Sequence, residues 1–292
     1  MKVYALVVLY NPDVKRLKHT ITVLHSLNIF LCFIDNTEDR NRLVDLTEFN
    51  VVHIKNHTNY GIAKAQNIGI SFALGDGADA MLFFDQDTYL ETKSIATLIH
   101  NYIMSSHKYK VFAPNFINEA LGFSYPLINI NSLGILKKIY LKDISDSIIK
   151  VDIVISSGML VSSNVFEVVG LMDEKLFIDY VDTEWCLRCK DKSVSIFVCK
   201  DSVVKHSIGN ANLRFWGVTV PVHSAQRRYY RVRNAFYLIK LKHIPRLMIL
   251  REVILSFIHQ MVLYIHSKDS SYLRIYVESL KDALKGAYGK KT

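Results

Sequence analysis

The chain has 292 residues, half of them hydrophobic and 22% charged, which excludes a disordered protein and allows one large domain or a domain with a smaller appendage. A net charge of +9 calls for an anionic partner: nucleic acid, anionic lipid or a phosphorylated substrate. Cys32, Cys186, Cys189 and Cys199 are too few for a disulfide framework and point to a reducing compartment; the CxxC spacing of Cys186 and Cys189 lacks a second pair, so these read as packed thiols.

Residues 3–9 form a short apolar strand ended by the turn formers Tyr10-Asn11-Pro12. No leader pattern precedes it, and a cytoplasmic protein is expected. Leu17, Ile21 and Leu24 recur at helical spacing. A strand over 29–34 closes on Asp35-Asn36-Thr37, and a helix over 42–49 leads to a strand over 51–54. A helix rich in small residues over 62–73, an apolar strand delivering Asp85 and a helix over 94–104 follow. Strands alternating with helices argue for an α/β fold with a mostly parallel sheet and right-handed crossovers.

Residues 115–150, rich in Gly, Pro, Asn and Ser, predict a long, partly ordered excursion. Strands are expected at 151–155, 159–161, 195–198 and 203–205, a helix at 182–190, and helices from Ala225 to the end.

Asp85 and Asp87 at the carboxyl end of a strand suit a hard cation carrying a diphosphate, and equally an acidic loop facing water. Asp85-Gln86-Asp87-Thr88 matches two enzyme signatures, the DxDxT of haloacid-dehalogenase-type phosphatases and the DxD of nucleotide-sugar transferases. The phosphatase motif belongs on the first strand and needs a late GDxxxD, which is absent here. Asp35 suits a contact to base or ribose, or an ordinary Asx turn. Asn59 and Gly61 suit a helix start with exposed N–H groups; Ala63 and Asn67 then share a face that can meet a ligand. Asp179, Asp182 and Glu184 beside Tyr180 and Trp185 describe an acidic, aromatic-lined pocket at a helix start. His206 ends a strand and could ligate a metal, and the interleaved Arg227, Arg228, Tyr230 and Arg231 fit a diphosphate site better than nucleic acid, for which no recognition module is present.

In this order, VVLYNP, IDNTE, NYGIAKAQNIG, FFDQDT, SSGML, FIDYVDTEWCLR, HSIG and RRYYRVRN resemble family 2 glycosyltransferases of the GT-A fold, most closely bacterial rhamnosyltransferases of cell-surface polysaccharide assembly. The resemblance covers residues 3–237. It departs where the family's common Glu-Asp is Val181-Asp182, which puts the catalytic burden on Asp182 and leaves Asp179 and Glu184 as rivals.

The resemblance implies a GT-A domain over 1–235 and a helical extension over 236–292. Tyr10, Asn11, Asp35, Asn59, Gly61, Ala63, Asn67, Asp85 and Gln86 would bind the nucleotide sugar. Asp87, with His206, would hold Mg²⁺ or Mn²⁺. Asp182 would be the base, and Ser157, Gly158, Asp179, Glu184, Trp185, Arg228, Tyr230 and Arg231 would meet the acceptor or diphosphate. The implied reaction inverts the anomeric centre, moving L-rhamnose from dTDP-β-L-rhamnose to a polyprenyl-diphosphate-linked glycan of O-antigen or capsule. The alternatives are a UDP-galactose, UDP-glucose or UDP-N-acetylhexosamine donor, or a non-catalytic nucleotide- or glycan-binding module.

Apolar stripes such as Leu250, Ile254 and Ile258, beside Lys240, Lys242, Arg246 and Arg251, suit equally a cytoplasmic membrane face and a homodimer interface. Residues 247–265 approach transmembrane length but carry Arg251 and Glu252.

Overall fold

The computed structural model describes the chain apart from residues 119–121, 132, 207–211, 216–217, 222–223 and 292, and gives backbone alone at 206, 212–215 and 218–221. An eight-stranded sheet runs β3 (Val52–Lys55), β2 (Phe30–Asp35), β1 (Val3–Leu9), β4 (Ala80–Asp85), β9 (Leu160–Ser162), β5 (Val111–Asn118), β10 (Ile196–His206), β8 (Ile148–Val151). β9 and β8 run against the other six.

Both faces of the sheet are covered, which is why its central strands are apolar without interruption. Val3, Ala5, Val7 and Leu9 of β1 face α1 (Val14–Ser26) and α3 (Thr92–Met104), whereas Tyr4 and Leu6 face α2 (Gly61–Gly75), α4 (Ser163–Val169) and α5 (Val181–Asp191). Met81, Leu82 and Phe83 of β4 are wholly buried, worth about 1.5–3 kcal/mol each by area removed from water. Gly69 lets α2 lie against the sheet: a Cβ there would come within 2.7 Å of Ile34 Cδ1. The C-terminal helices α6 (Ala225–Leu238), α7 (Arg246–Ser267) and α8 (Ser271–Lys285) pack on one another beside α5.

Four expectations need correction, the first being the strand expected at 151–155, which runs instead over Ile148–Val151 as β8. Residues 42–49 form no helix; a single 3₁₀ turn at Arg40–Arg42 leads into irregular chain, and Leu46 and Val44 are buried without helical packing. The stretch after Pro114 is better ordered than expected, because β5 continues to Asn118 and β6 (Leu127–Ile130) pairs with β7 (Leu136–Ile139) as a hairpin. The two short strands expected after Ser195 are one strand, β10, whose register slips between Cys199 and Val203, so a bulge hides its continuity. The division at residue 235 falls inside α6. The four cysteines are free and buried.

Candidate active site

Register places the acids. Leu9 pairs with Asp35 and Val8 with Asp85, so both carboxylates leave the carboxyl edge on strands flanking β1. Ligands of open α/β sheets bind at that edge.

Asp85 is partly accessible at the cleft floor but hemmed in by protein. Burial, then the charges of Asp87 and Asp182, push its carboxyl up to about 7, while Arg227 pulls it down. Asp87 is exposed. The acid turn is built from below: Ser157 Oγ accepts from Asp85 N at 3.3 Å and meets Thr88 Oγ1 at 2.7 Å. Gly158 donates to Phe83 O at 2.6 Å with φ +76°, and a Cβ there would strike Pro114. Ser157 and Gly158 therefore brace the acid turn and do not line an acceptor site, a correction to the expectation. Gln86 clasps Tyr10 across the β1 and β4 ends, and Asn11, at φ +48°, donates to Thr37 Oγ1.

Asp35 is fully buried. Burial raises its carboxyl, but His53 at 3.2 Å and the Thr37 N–H outweigh that and hold it below the ordinary range. His53 escaped the sequence reading because nothing local marks it; the β2–β3 register alone brings it near. Asn59 Oδ1 accepts from Gly61 N at 3.0 Å. Gly61, at φ +81°, packs where a Cβ would sit 2.5 Å from Phe177, and Phe177 O takes the N–H groups of Ile62 and Ala63. The start of α2 thus offers no free N–H fan to a phosphate, contrary to expectation. Ala63 is fully buried, and Asn67 is committed to Met172 O, Met172 N and Glu174. Both belong to packing, because the face they share turns to protein.

The segment before α5 is unusual. Phe177, Asp179 and Tyr180 all have positive φ, near +62°, where side chains are strained. Asn234 Nδ2 holds it by donating to the carbonyls of Leu176, Ile178 and Asp179. Asp182 follows at the start of α5. Burial raises its carboxyl; the Thr183 and Ser156 N–H groups oppose this, and the charge of Asp179 adds to it. Asp179 is 8% exposed and pairs with Arg227 at 3.4 Å.

Helical phase corrects the remaining residues. Glu184 is 2% exposed between Arg188, at 2.7 Å, and His243, at 2.8 Å. Burial raises its carboxyl, but the hydrogen bonds from His243 and Arg188 and the Arg188 charge hold it low. It is neither base nor acceptor ligand. Trp185 is fully buried and donates to Gly170 O at 2.9 Å. Arg228 points away, into α7, donating to Gln260 Oε1 and Ser256 O, and Tyr230 stacks on Phe177 with centroids 4.7 Å apart. Arg231 does stay near the acids, its guanidinium 4.9 Å from the centre of the Tyr180 ring. Arg227, one residue before the expected Arg228, is the cation that faces Asp85 and Asp179. The shared face of Arg227 and Arg231, four residues apart, was the signal for it. His206 ends β10, but its side chain and Ser207-Ile208-Gly209 lie outside the described residues.

Among the described residues no group of three His, Cys, Asp or Glu forms a metal cage. Two carboxylates remain at the acid turn, a hard-oxygen donor set that suits a divalent cation completing its shell with substrate phosphates and water.

A mixed, mostly parallel sheet with two acids at its carboxyl edge and a partly accessible aspartate, Asp182, close enough to raise the Asp85 carboxyl, defines a nucleotide-sugar transferase of the GT-A class. The chain belongs to glycosyl transferase family 2, whose pattern matches residues 4–163. It is 38% identical over 291 residues, 98% of this chain and 97% of the other, to dTDP-rhamnosyl transferase RfbF of Shigella flexneri. It is also 24% identical over 190 residues, 63% of this chain and 58% of the other, to the low-salt glycan biosynthesis hexosyltransferase Agl10 of Haloferax volcanii. Among solved structures it resembles GalNAc-T7 with UDP, GalNAc and Mn²⁺ (TM-score 0.59, 14% identity, 99% of this chain and 58% of that one). Residues 1–349 of TarS from S. aureus give a TM-score of 0.51 at 16% identity, covering 98% of this chain and 80% of that one. The chain spans about half the length of the longer structures of this fold, 58% of GalNAc-T7 and 49% of the longer TarS chain. It is thus a rhamnosyltransferase-like family 2 glycosyltransferase.

Proposed function

We propose that the enzyme moves L-rhamnose from dTDP-β-L-rhamnose to a polyprenyl-diphosphate-linked glycan during O-antigen or capsule assembly. The observation that carries this is the likeness to a dTDP-rhamnosyl transferase along nearly the whole chain, combined with a partly accessible carboxylate, Asp182, beside the acid turn. Asp85 and Gln86 would meet the ribose and its turn, and Asp35, fully buried, would support the base end of the site through Thr37 and His53. Asp87, with His206, would hold Mg²⁺ or Mn²⁺, which supplies charge stabilisation to the departing nucleoside diphosphate.

Asp182 takes the proton from the acceptor hydroxyl as its oxygen bonds to the anomeric carbon. The bond from that carbon to the diphosphate oxygen breaks on the opposite face, and the configuration inverts. The diphosphate leaves with the electron pair toward Arg227 and Arg231. Asp179, paired to Arg227, keeps that cation in place.

A lipid-linked acceptor also suits α7. Leu250, Ile254, Phe257 and Ile258 are about half exposed on one face, near Arg246 and Arg251. We assign this face to the cytoplasmic surface of an anionic membrane.

Incubation with dTDP-rhamnose, Mn²⁺ or Mg²⁺ and lipid-linked acceptor is expected to release dTDP and add one deoxyhexose to the lipid by mass spectrometry. Turnover only with UDP-galactose, UDP-glucose or UDP-N-acetylglucosamine would reassign the donor; binding of nucleotide without turnover of any sugar would make the chain a binding module. Sedimentation with anionic but not neutral vesicles is expected, and a dimer in light scattering that ignores vesicles would move α7 to a subunit interface.

A further inference from the structure

The C-terminal helices reach the cleft through one side chain. Glu252 lies on the inner side of α7 with its carboxylate 13% exposed. Its Oε2 accepts from Tyr180 Oη at 3.0 Å and from Arg231 at 3.3 Å, and its Oε1 accepts from Arg251 at 3.1 Å. Tyr180 stands two residues before Asp182 with φ +63°, and its carbonyl accepts from Glu184 N at 2.8 Å in the first turn of α5. Arg231 lies over the Tyr180 ring.

We propose that Glu252 is a positioning residue for glycosyl transfer. It pins the strained 177–180 segment from the far side, so that Asp182 stays aimed into the cleft, and it fixes Arg231 near the acids. A left-handed backbone at non-glycine residues persists only where neighbours over-determine it. Asn234 fixes the main chain of this segment, and Glu252 holds the Tyr180 side chain by its hydroxyl. Residue 252 also falls beyond 163, where the family match ends. The C-terminal helices therefore complete the catalytic cleft and do more than extend it. This inference rests on Asp182 being the base.

The test uses the full chain and the variants Glu252→Ala, Glu252→Gln and Tyr180→Phe. Glu252→Gln keeps an acceptor for the Tyr180 hydroxyl and loses the charge facing Arg231. Glu252→Ala is expected to lower kcat at least tenfold while the donor KM changes less than twofold, with Glu252→Gln recovering part of the loss. Adding Tyr180→Phe to Glu252→Ala is expected to cost less than the product of the two single effects, since both act through one contact. Hydrogen exchange gives a readout free of activity: amides at 176–186 should exchange faster in Glu252→Ala, while those of β1 and β4 stay protected. Unchanged exchange at 176–186 overturns the proposal even if the donor assignment is correct. Faster exchange there with no change in kcat overturns the catalytic consequence. A wild type inactive on every nucleotide sugar sinks the functional reading and leaves the exchange result to decide the contact.

Discussion

Gln86, just past the end of β4, bonds both main-chain groups of Tyr10, just past β1: its Oε1 accepts from Tyr10 N at 2.8 Å and its Nε2 donates to Tyr10 O at 3.0 Å. One side-chain amide thus joins the two turns that would meet the donor. Gln86→Ala frees the Tyr10–Asn11 turn, and two bonds at about 0.5–1.5 kcal/mol each should raise the donor KM roughly fivefold to a hundredfold. Gln86→Glu keeps the acceptor and loses the donor, so its KM should fall between the two. Steady-state kinetics at saturating acceptor measures both, and an unchanged KM in Gln86→Ala would detach this turn from the donor.

Asp182 is raised above the ordinary carboxylate range, first by burial and then by Asp179. A base works deprotonated, so kcat/KM should fall with decreasing pH through a limb lying above the usual carboxylate value. Asp179→Asn removes a neighbouring negative charge and should shift that limb to lower pH. Asp182→Asn should lower kcat by roughly 10²–10⁴ while dTDP binding by calorimetry stays near wild type. Equal losses of binding and turnover would make Asp182 structural.

Glu184 gains its stability from ion pairing. With its carboxyl held below the ordinary range by Arg188 and His243, its contribution is present above the unfolded-state value and is lost as pH falls through the lowered folded value. Removing one partner of a buried pair costs about 3–5 kcal/mol. Glu184→Gln should therefore unfold at lower urea than wild type at pH 7. Protonation of the wild-type carboxyl should narrow the gap below about pH 4. A gap that is constant across pH would show that packing, not charge, is what the substitution removes.

Arg227 and Arg228 are neighbours with opposite duties. Arg227 is half-exposed and faces Asp179, whereas Arg228 is buried and burial pulls its guanidinium down to about 10. Arg227→Ala should leave the melting temperature nearly unchanged and lower kcat/KM roughly tenfold to a hundredfold, the scale of one charge-assisted hydrogen bond. Arg228→Ala strips bonds from Gln260 and Ser256 on α7 and should lower the melting temperature by several degrees. The reverse pattern would show that the helix is turned by one residue.

The β/α alternation was legible because each element carries its own period. Val3–Leu9 and Ala80–Asp85 are apolar runs, and Leu17, Ile21 and Leu24 repeat every three to four residues. The places of Asp35, Asp85, Asp87 and Asp182, at or beside strand ends and a helix start, were legible because those ends are marked locally. β10 was not, since a bulge breaks its alternation, and residues 42–49 were misread because apolar spacing there reflects burial of irregular chain.

The sequence by itself determined the class of protein: the order of its motifs along the chain depends on no packing detail. Only the tertiary structure decided which side chains face the cleft. Trp185, Glu184 and Arg228 stand inside the right motifs but turn inward, because a helix rotates its residues by about 100° per position and the packing around it selects the outward face. His53 and Glu252 stand outside every motif and arrive through strand register and helix packing. Local residue types state what chemistry is available. The strained turn before Asp182, held by α6 and α7, is a product of packing that no local pattern announces.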